Sequence, residues 1–260
     1  MSRIDEYRVA LASAADREAY LLAHSGLPGP RGNLELARAA AEVCSGTELR
    51  RWARLGPDEA PTGTAEEFLA FAGVLGHGQP LVKGDGRALA ELRRHACDPR
   101  WRIREAVAMA LQLWGEADFE ALGEAMHEWA HGSPLERRAA AAALCEPALL
   151  TTPERASEVL AVLAEATTGI AEAGAEERRS EEFRALRKGL GYCWSVAVAA
   201  APEVGRPAFE ELVSWAEASE TAIWRGLFGR TCASGGWSAS TAGGSRGCSS
   251  ASDPVPFARP

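Results

Sequence analysis

Hydrophobic residues along this chain recur every three or four positions, in one segment after another. The stretch RALAELRRHA sets Leu89, Leu92 and Ala96 on one stripe, and WRIREAVAMALQLWG sets Ile103, Val107, Ala110, Leu111 and Trp114 on one face. FEALGEAMHEWAHG does the same with Phe119, Leu122, Met126 and Trp129, and EEFRALRKGLGYCWSVAVAA with Phe183, Leu186, Leu190 and Cys193. PAFEELVSWAEAS follows with Phe209, Leu212, Val213 and Ala216, and upstream EEFLAFAGVLG pairs with LELARAAAEVCSGTELRRWARL. No segment alternates apolar and polar residues with the period of a strand, so the pattern predicts an all-α protein.

The punctuation agrees with the period. Asp98-Pro99 predicts a helix cap followed by proline at the first helical position, and Thr152-Pro153 does so again. Ser133-Pro134-Leu135-Glu136 and Thr64-Ala65-Glu66-Glu67 predict capping boxes. GHGQPLVKGDG, at 76–86, reads as a linker, and with no strand before it its glycines do not make a phosphate loop. The helical pairs recur roughly every 35 to 47 residues, the spacing of HEAT-type repeats. A pair cannot bury its apolar stripe alone, so neighbours must stack. The expected architecture is an α-solenoid of stacked helical hairpins, HEAT-like or armadillo-like, over residues 1–218. N-terminal helices occupy 1–60 and repeats start from about residue 62. An irregular helical bundle is the alternative.

Beyond Ser219 glycine and serine abound and the period is lost, so 219–260 reads as a low-complexity tail. A second explanation comes from the coding frame. With GC-rich codons, Glu220 to Arg246 can be encoded by DNA whose neighbouring frame reads DRDLAWIVRENLRKRRLERLDRRWVE, an amphipathic helix opened by aspartate. That helix would follow PAFEELVSWAEAS as WRIREAV follows RALAELRRHA, and would complete a repeat. The tail is then expected to be a frameshift product, and an uninterrupted present frame at the locus would sink this reading.

Composition narrows the partners. The chain has 260 residues, 47% hydrophobic and 25% charged, with a formal net charge of −8. That acidity argues against avid, non-specific binding of bare nucleic acid, though a local basic patch is compatible with it. The N-terminus shows no signal-peptide pattern, and no run approaches the roughly eighteen apolar residues of a membrane span. Six cysteines (Cys44, Cys97, Cys145, Cys193, Cys232 and Cys248) stand singly, without C-x-x-C. Cys97, Cys145 and Cys193 fall within apolar helical patterns, so the expectation is reduced, buried thiols in a cytoplasmic protein without a cofactor.

Residues 127–131 read HEWAH, the H-E-x-x-H of zinc peptidases. His127 and His131 do share a helical face, but the stripe Phe119–Leu122–Met126–Trp129 already explains the helix. The histidines lie off that stripe toward solvent, and GSPLERR supplies no third histidine. A metal site at His127, Glu128 and His131 is therefore rejected. No serine–histidine–acid set can be assembled either.

Basic residues cluster early in successive second helices: Arg100 and Arg104, then Arg137 and Arg138, then Arg184, Arg187 and Lys188. Second helices commonly line a solenoid's inner side, so these residues predict one basic stripe that suits phosphates or an acidic protein. Trp101 and Trp194 are expected in the core, although either could stack on a base. RKGLGYCW, at 187–194, resembles a helix of bacterial DNA alkylation repair proteins of the HEAT-like repeat class, with Arg187, Lys188, Gly189, Leu190, Gly191 and Tyr192 matching in order. The W-x-x-R of Trp101 to Arg104 looks like another helix of that class. The resemblance, over roughly 62–218, implies an α-solenoid that cradles duplex DNA and excises alkylated bases with a carboxylate beside aromatics. The catalytic tryptophan-and-aspartate segment of that family has no clear counterpart here: Asp58 lies in a turn and Asp98 in a cap. The expected function is thus a non-catalytic HEAT-repeat module binding a macromolecular partner, protein or duplex DNA. Its candidate contacts are Arg100, Trp101, Arg104, Arg137, Arg138, Arg184, Arg187, Lys188 and Tyr192. The alternative is a DNA-binding repair protein or DNA glycosylase.

Overall fold

The computed structural model describes residues 1–170 and 173–218, the side chains of 215–218 apart. The predicted tail and its alternative-frame helix lie outside the described residues. Among these, the chain is all-α, with no strand. The helices are α1 (Arg3–Ser13), α2 (Arg17–His24), α3 (Leu34–Val43), α4 (Gly46–Ala53), α5 (Ala65–Leu75), α6 (Gly78–Val82) and α7 (Gly86–Ala96). They continue as α8 (Trp101–Ala117), α9 (Phe119–Ala130), α10 (Pro134–Leu144), α11 (Pro153–Thr168), α12 (Glu181–Ala200) and α13 (Pro202–Ala218).

Side-chain caps start most of them. Ser133 and Glu136 make the predicted capping box of α10, and Thr152 accepts from the Arg155 amide at the start of α11. At α5, Thr64 caps as expected, but Glu67 reaches back to the Gly63 amide instead of the cap residue. At α8 the expectation fails by two residues. Arg100 is the N-cap, and Asp98 holds the Arg100 amide in a turn ahead of the helix, because its carboxylate is also committed to the Arg100 guanidinium. The expected linker at 76–86 contains α6, with Gly78 close against the Ala110 backbone of α8 and Leu81 buried.

The apolar stripes do what their spacing requires. Ile103, Val107, Ala110 and Leu111 are buried, as are Phe119, Leu122, Met126 and Trp129, and Phe183, Leu186, Leu190 and Cys193. Trp194 is buried too and donates to Thr167 Oγ1 on α11 at 3.0 Å. One core runs through all these helices. At the crossing of α4 and α5 the backbones nearly touch: a Cβ on Gly73 would collide with the Ala53 amide and stand 2.7 Å from the Leu49 carbonyl oxygen.

The order of packing is regular. α3, α5, α8, α10 and α12 each contact the next, as do α9, α11 and α13. Helices consecutive in the chain, α7 with α8, α9 with α10 and α11 with α12, also pack together. Between α8 and α10, Glu105 pairs with Arg138 and Gln112 donates to the Ala142 carbonyl. Between α10 and α12, Arg138 lies against Gly189 and Cys145 against Cys193. Between α9 and α11, Gly123 lies against Glu158, and His131 pairs with Glu165. In each pair the partner's number rises along with the residue's own, so these neighbours run parallel.

Candidate functional site

The side-by-side run of α8, α10 and α12 places some of the predicted contact residues together and takes others away. Trp101 opens α8 and, against the expectation of core packing, remains 47% exposed. Its ring is held by Arg102, whose guanidinium stacks 4.5 Å from the ring centroid. Arg102 is anchored in turn by Glu67 on α5, at 3.2 Å, and Glu67 is wholly buried. Neither Arg102 nor Glu67 was suggested by sequence, since the partners are 35 residues apart. One turn after Trp101, on the same side of the helix, Glu105 accepts from Arg138 on α10.

Arg104 and Arg138 lie close enough to repel each other. Arg104 donates to the Asp98 and Pro99 carbonyls and pairs with no carboxylate among the described residues. Burial, then the charge of Arg138, pulls its pKa below the ordinary arginine value. Arg138 is itself buried, and its Nη1, like Arg104 Nε, has no hydrogen-bond partner within the described residues. On α12, Lys188 and Tyr192 are exposed one turn apart. Burial first, then the charges of the neighbouring Cys193 and Glu146, raises the Tyr192 pKa.

Other predicted contacts serve elsewhere. Arg100 is buried, and its guanidinium bonds Asp98 and the carbonyls of Leu55, Gly56 and Ala60, clamping the loop after α4 onto the start of α8. An arginine consumed by four acceptors cannot also reach a partner, so Arg100 is withdrawn from the candidate face. Arg137 points to Gly169 at the C-cap of α11. Arg184 is exposed but pairs within its own helix with Glu181. Arg187 is half-buried on a different side of α12 from Lys188 and Tyr192.

The HEWAH residues diverge. Glu128 pairs with Arg93 of α7, which also holds Glu136. His131 is exposed as expected, but His127 is turned into α11, with Nδ1 2.9 Å from Glu165 and Nε2 2.8 Å from Glu158. Partial burial lowers the His127 pKa, but the hydrogen bonds to Glu165 and Glu158 outweigh it, so the pKa stands above its ordinary value. No group of three His, Cys, Asp or Glu residues among the described residues is arranged to hold a metal ion. Cys97, expected buried, is exposed at the C-cap of α7. An open cleft of about 590 Å³ between α2 and α4 is lined by Glu18, Glu48, Arg17 and Arg51, whose charges pair with one another. No helix among the described residues is long and apolar enough to cross a membrane.

No family model, no curated protein and no solved structure matches this chain.

Proposed function

We propose that the chain is an α-solenoid of HEAT-type repeats and acts as a non-catalytic module binding a macromolecular partner along the α8–α10–α12 face. The observation that carries this reading is the parallel succession of second helices. Arg138 of α10 meets Glu105 of α8 on one side and Gly189 of α12 on the other, as stacked hairpins require. Such a stack gives an extended surface suited to a polypeptide. Trp101 and Tyr192 provide half-exposed aromatic anchors on its two outer helices, Trp101 pre-set by Arg102 and Glu67. A protein partner is favoured over duplex DNA on electrostatic grounds. Glu105 and Glu181 already neutralise Arg138 and Arg184, Arg100 is internal, and the chain carries a net charge of −8.

One observation favours the DNA alkylation repair reading: a carboxylate, Glu105, stands one turn from an exposed tryptophan, Trp101, beside two arginines. Titration of a labelled duplex, plain and carrying a methylated purine, separates the two readings. The scaffold reading expects no lesion preference, and it expects proteins captured by the intact chain to be lost from a Trp101→Ala, Tyr192→Ala variant. Salt-sensitive binding that favours the lesion, followed by base release abolished in Glu105→Gln, would replace it with the repair reading.

A further inference from the structure

Among the described residues there are four free cysteines, and two of them meet where neighbouring second helices join. Cys145 is the C-cap of α10 and Cys193 lies within α12, 48 residues further on. The Cys145 Sγ stands 3.6 Å from the Cys193 carbonyl oxygen, and both side chains are buried. Small residues one turn before each cysteine help the helices to come this close. Ala141 lies one turn before Cys145, and Gly189 lies one turn before Cys193, where an added Cβ would be 3.2 Å from Arg138 Cγ. The remaining thiols are elsewhere: Cys44 is buried beside α4, and Cys97 is exposed beyond α7. The binding role proposed above uses neither Cys145 nor Cys193.

We infer that Cys145 and Cys193 form a redox-sensitive pair, and that oxidation joins them in a disulfide that staples α10 to α12 across the binding face. The oxidant belongs to the class of small-molecule disulfides. One cysteine loses its proton when the contact opens, and its thiolate attacks a sulfur of the oxidant. The oxidant's S–S bond breaks, one half leaves as a thiolate and takes up a proton, and a mixed disulfide remains. The second cysteine then loses its proton, attacks the protein sulfur of that mixed disulfide and expels the other half. Two protein thiols are oxidised and one disulfide is reduced to two thiols. The second attack is intramolecular, between cysteines whose helices already touch at this point, so the mixed disulfide does not accumulate. Burial, helped by the neighbouring Cys193, holds the Cys145 thiol pKa well up, so the reaction waits on opening of the contact. The bond would tie two successive repeats at one register and fix Tyr192, the residue next to Cys193. The inference stands on the α10–α12 contact alone and is independent of what the face binds.

The test uses the full chain, reduced and then incubated with oxidised glutathione, blocked with an alkylating agent, digested and mapped by mass. The expected product links the peptides bearing Cys145 and Cys193, while exposed Cys97 carries glutathione. The oxidised protein should melt several degrees above the reduced one. Dithiothreitol should reverse that gain, and Cys193→Ala and Cys145→Ser should each lack it. Recovery of Cys145 and Cys193 on separate alkylated peptides after prolonged oxidation would overturn the inference, as would an oxidised protein that melts no higher than the reduced one. If either variant fails to fold, the peptide map of the unaltered chain decides by itself.

Discussion

His95 makes the sharpest quantitative prediction, because it is a titratable base folded into the core. It lies on α7, buried, its Nε2 facing the Arg94 guanidinium at 3.2 Å and its ring tilted against His77 at 6.2 Å. Burial first, then the charges of Arg94 and His77, lowers its pKa from 6.5 to about 4, while Asp98 and Glu91 pull weakly the other way. Between those two values the unfolded chain binds the proton and the folded chain refuses it. Stability contributed by the neutral ring is therefore fully present above pH 6.5 and is lost as pH falls toward 4. The linkage amounts to about 2 kcal/mol at pH 5 and about 3 kcal/mol by pH 4. His77, whose pKa is lowered by burial, adds in the same direction. His127, whose pKa is raised, opposes it, but both are common to parent and variant. The perturbation is His95→Gln, which keeps a polar side chain without a titrating ring. The assay is urea unfolding followed by helical circular dichroism at pH 7.5 and pH 5. The parent should lose about 2 kcal/mol more than the variant between those conditions. Parallel losses in the two proteins would refute the account of His95 as a neutral core residue.

Three further outcomes follow from the packing. Gly73→Ala should destabilise the chain by at least about 1–3 kcal/mol, since the new methyl meets α4 backbone that cannot step aside, and a thermal melt would show it. Arg100→Met should cost about 3 kcal/mol in urea unfolding, because it leaves Asp98 and three loop carbonyls without their donor. His127→Gln should leave stability at pH 8 nearly unchanged and reduce it near pH 6. The raised pKa of His127 means that its contribution is present at low pH and fades as pH rises through the folded value, so a flat difference between parent and variant would contradict the α9–α11 pairing.

The helical content, the apolar stripes and most of the caps were legible in the linear chain, because they depend on residues three or four positions apart. Met126 and Trp129, or Phe183 and Leu186, declare a buried side whatever they pack against. The caps were legible where a side chain had one task, as at Ser133, and failed where a second group competed for it. At Asp98 the guanidinium of Arg100 takes the carboxylate, and at Glu67 the Gly63 amide and Arg102 do. The candidate face was the least legible. Seven basic residues shared a chemistry in the sequence, but the roles of Arg100, Arg137 and Arg138 depend on neighbours far away in the chain, which local spacing cannot reveal.

What the sequence determined by itself, then, is a chain of amphipathic helices that must pack against one another, since burying each stripe outweighs every local alternative. Only the tertiary structure decided what each charged group does. Arg100 and Arg138 read alike in the chain, yet one is spent clamping a loop and the other lies between Glu105 and Gly189 on the candidate face. Trp101 and Trp194 were expected in the same place, and one ended half in solvent while the other is sealed against α11. The reason is that burial of a single side chain depends on the surface that a distant helix brings to it. Periodicity specifies that a face is covered, and the three-dimensional packing specifies by what.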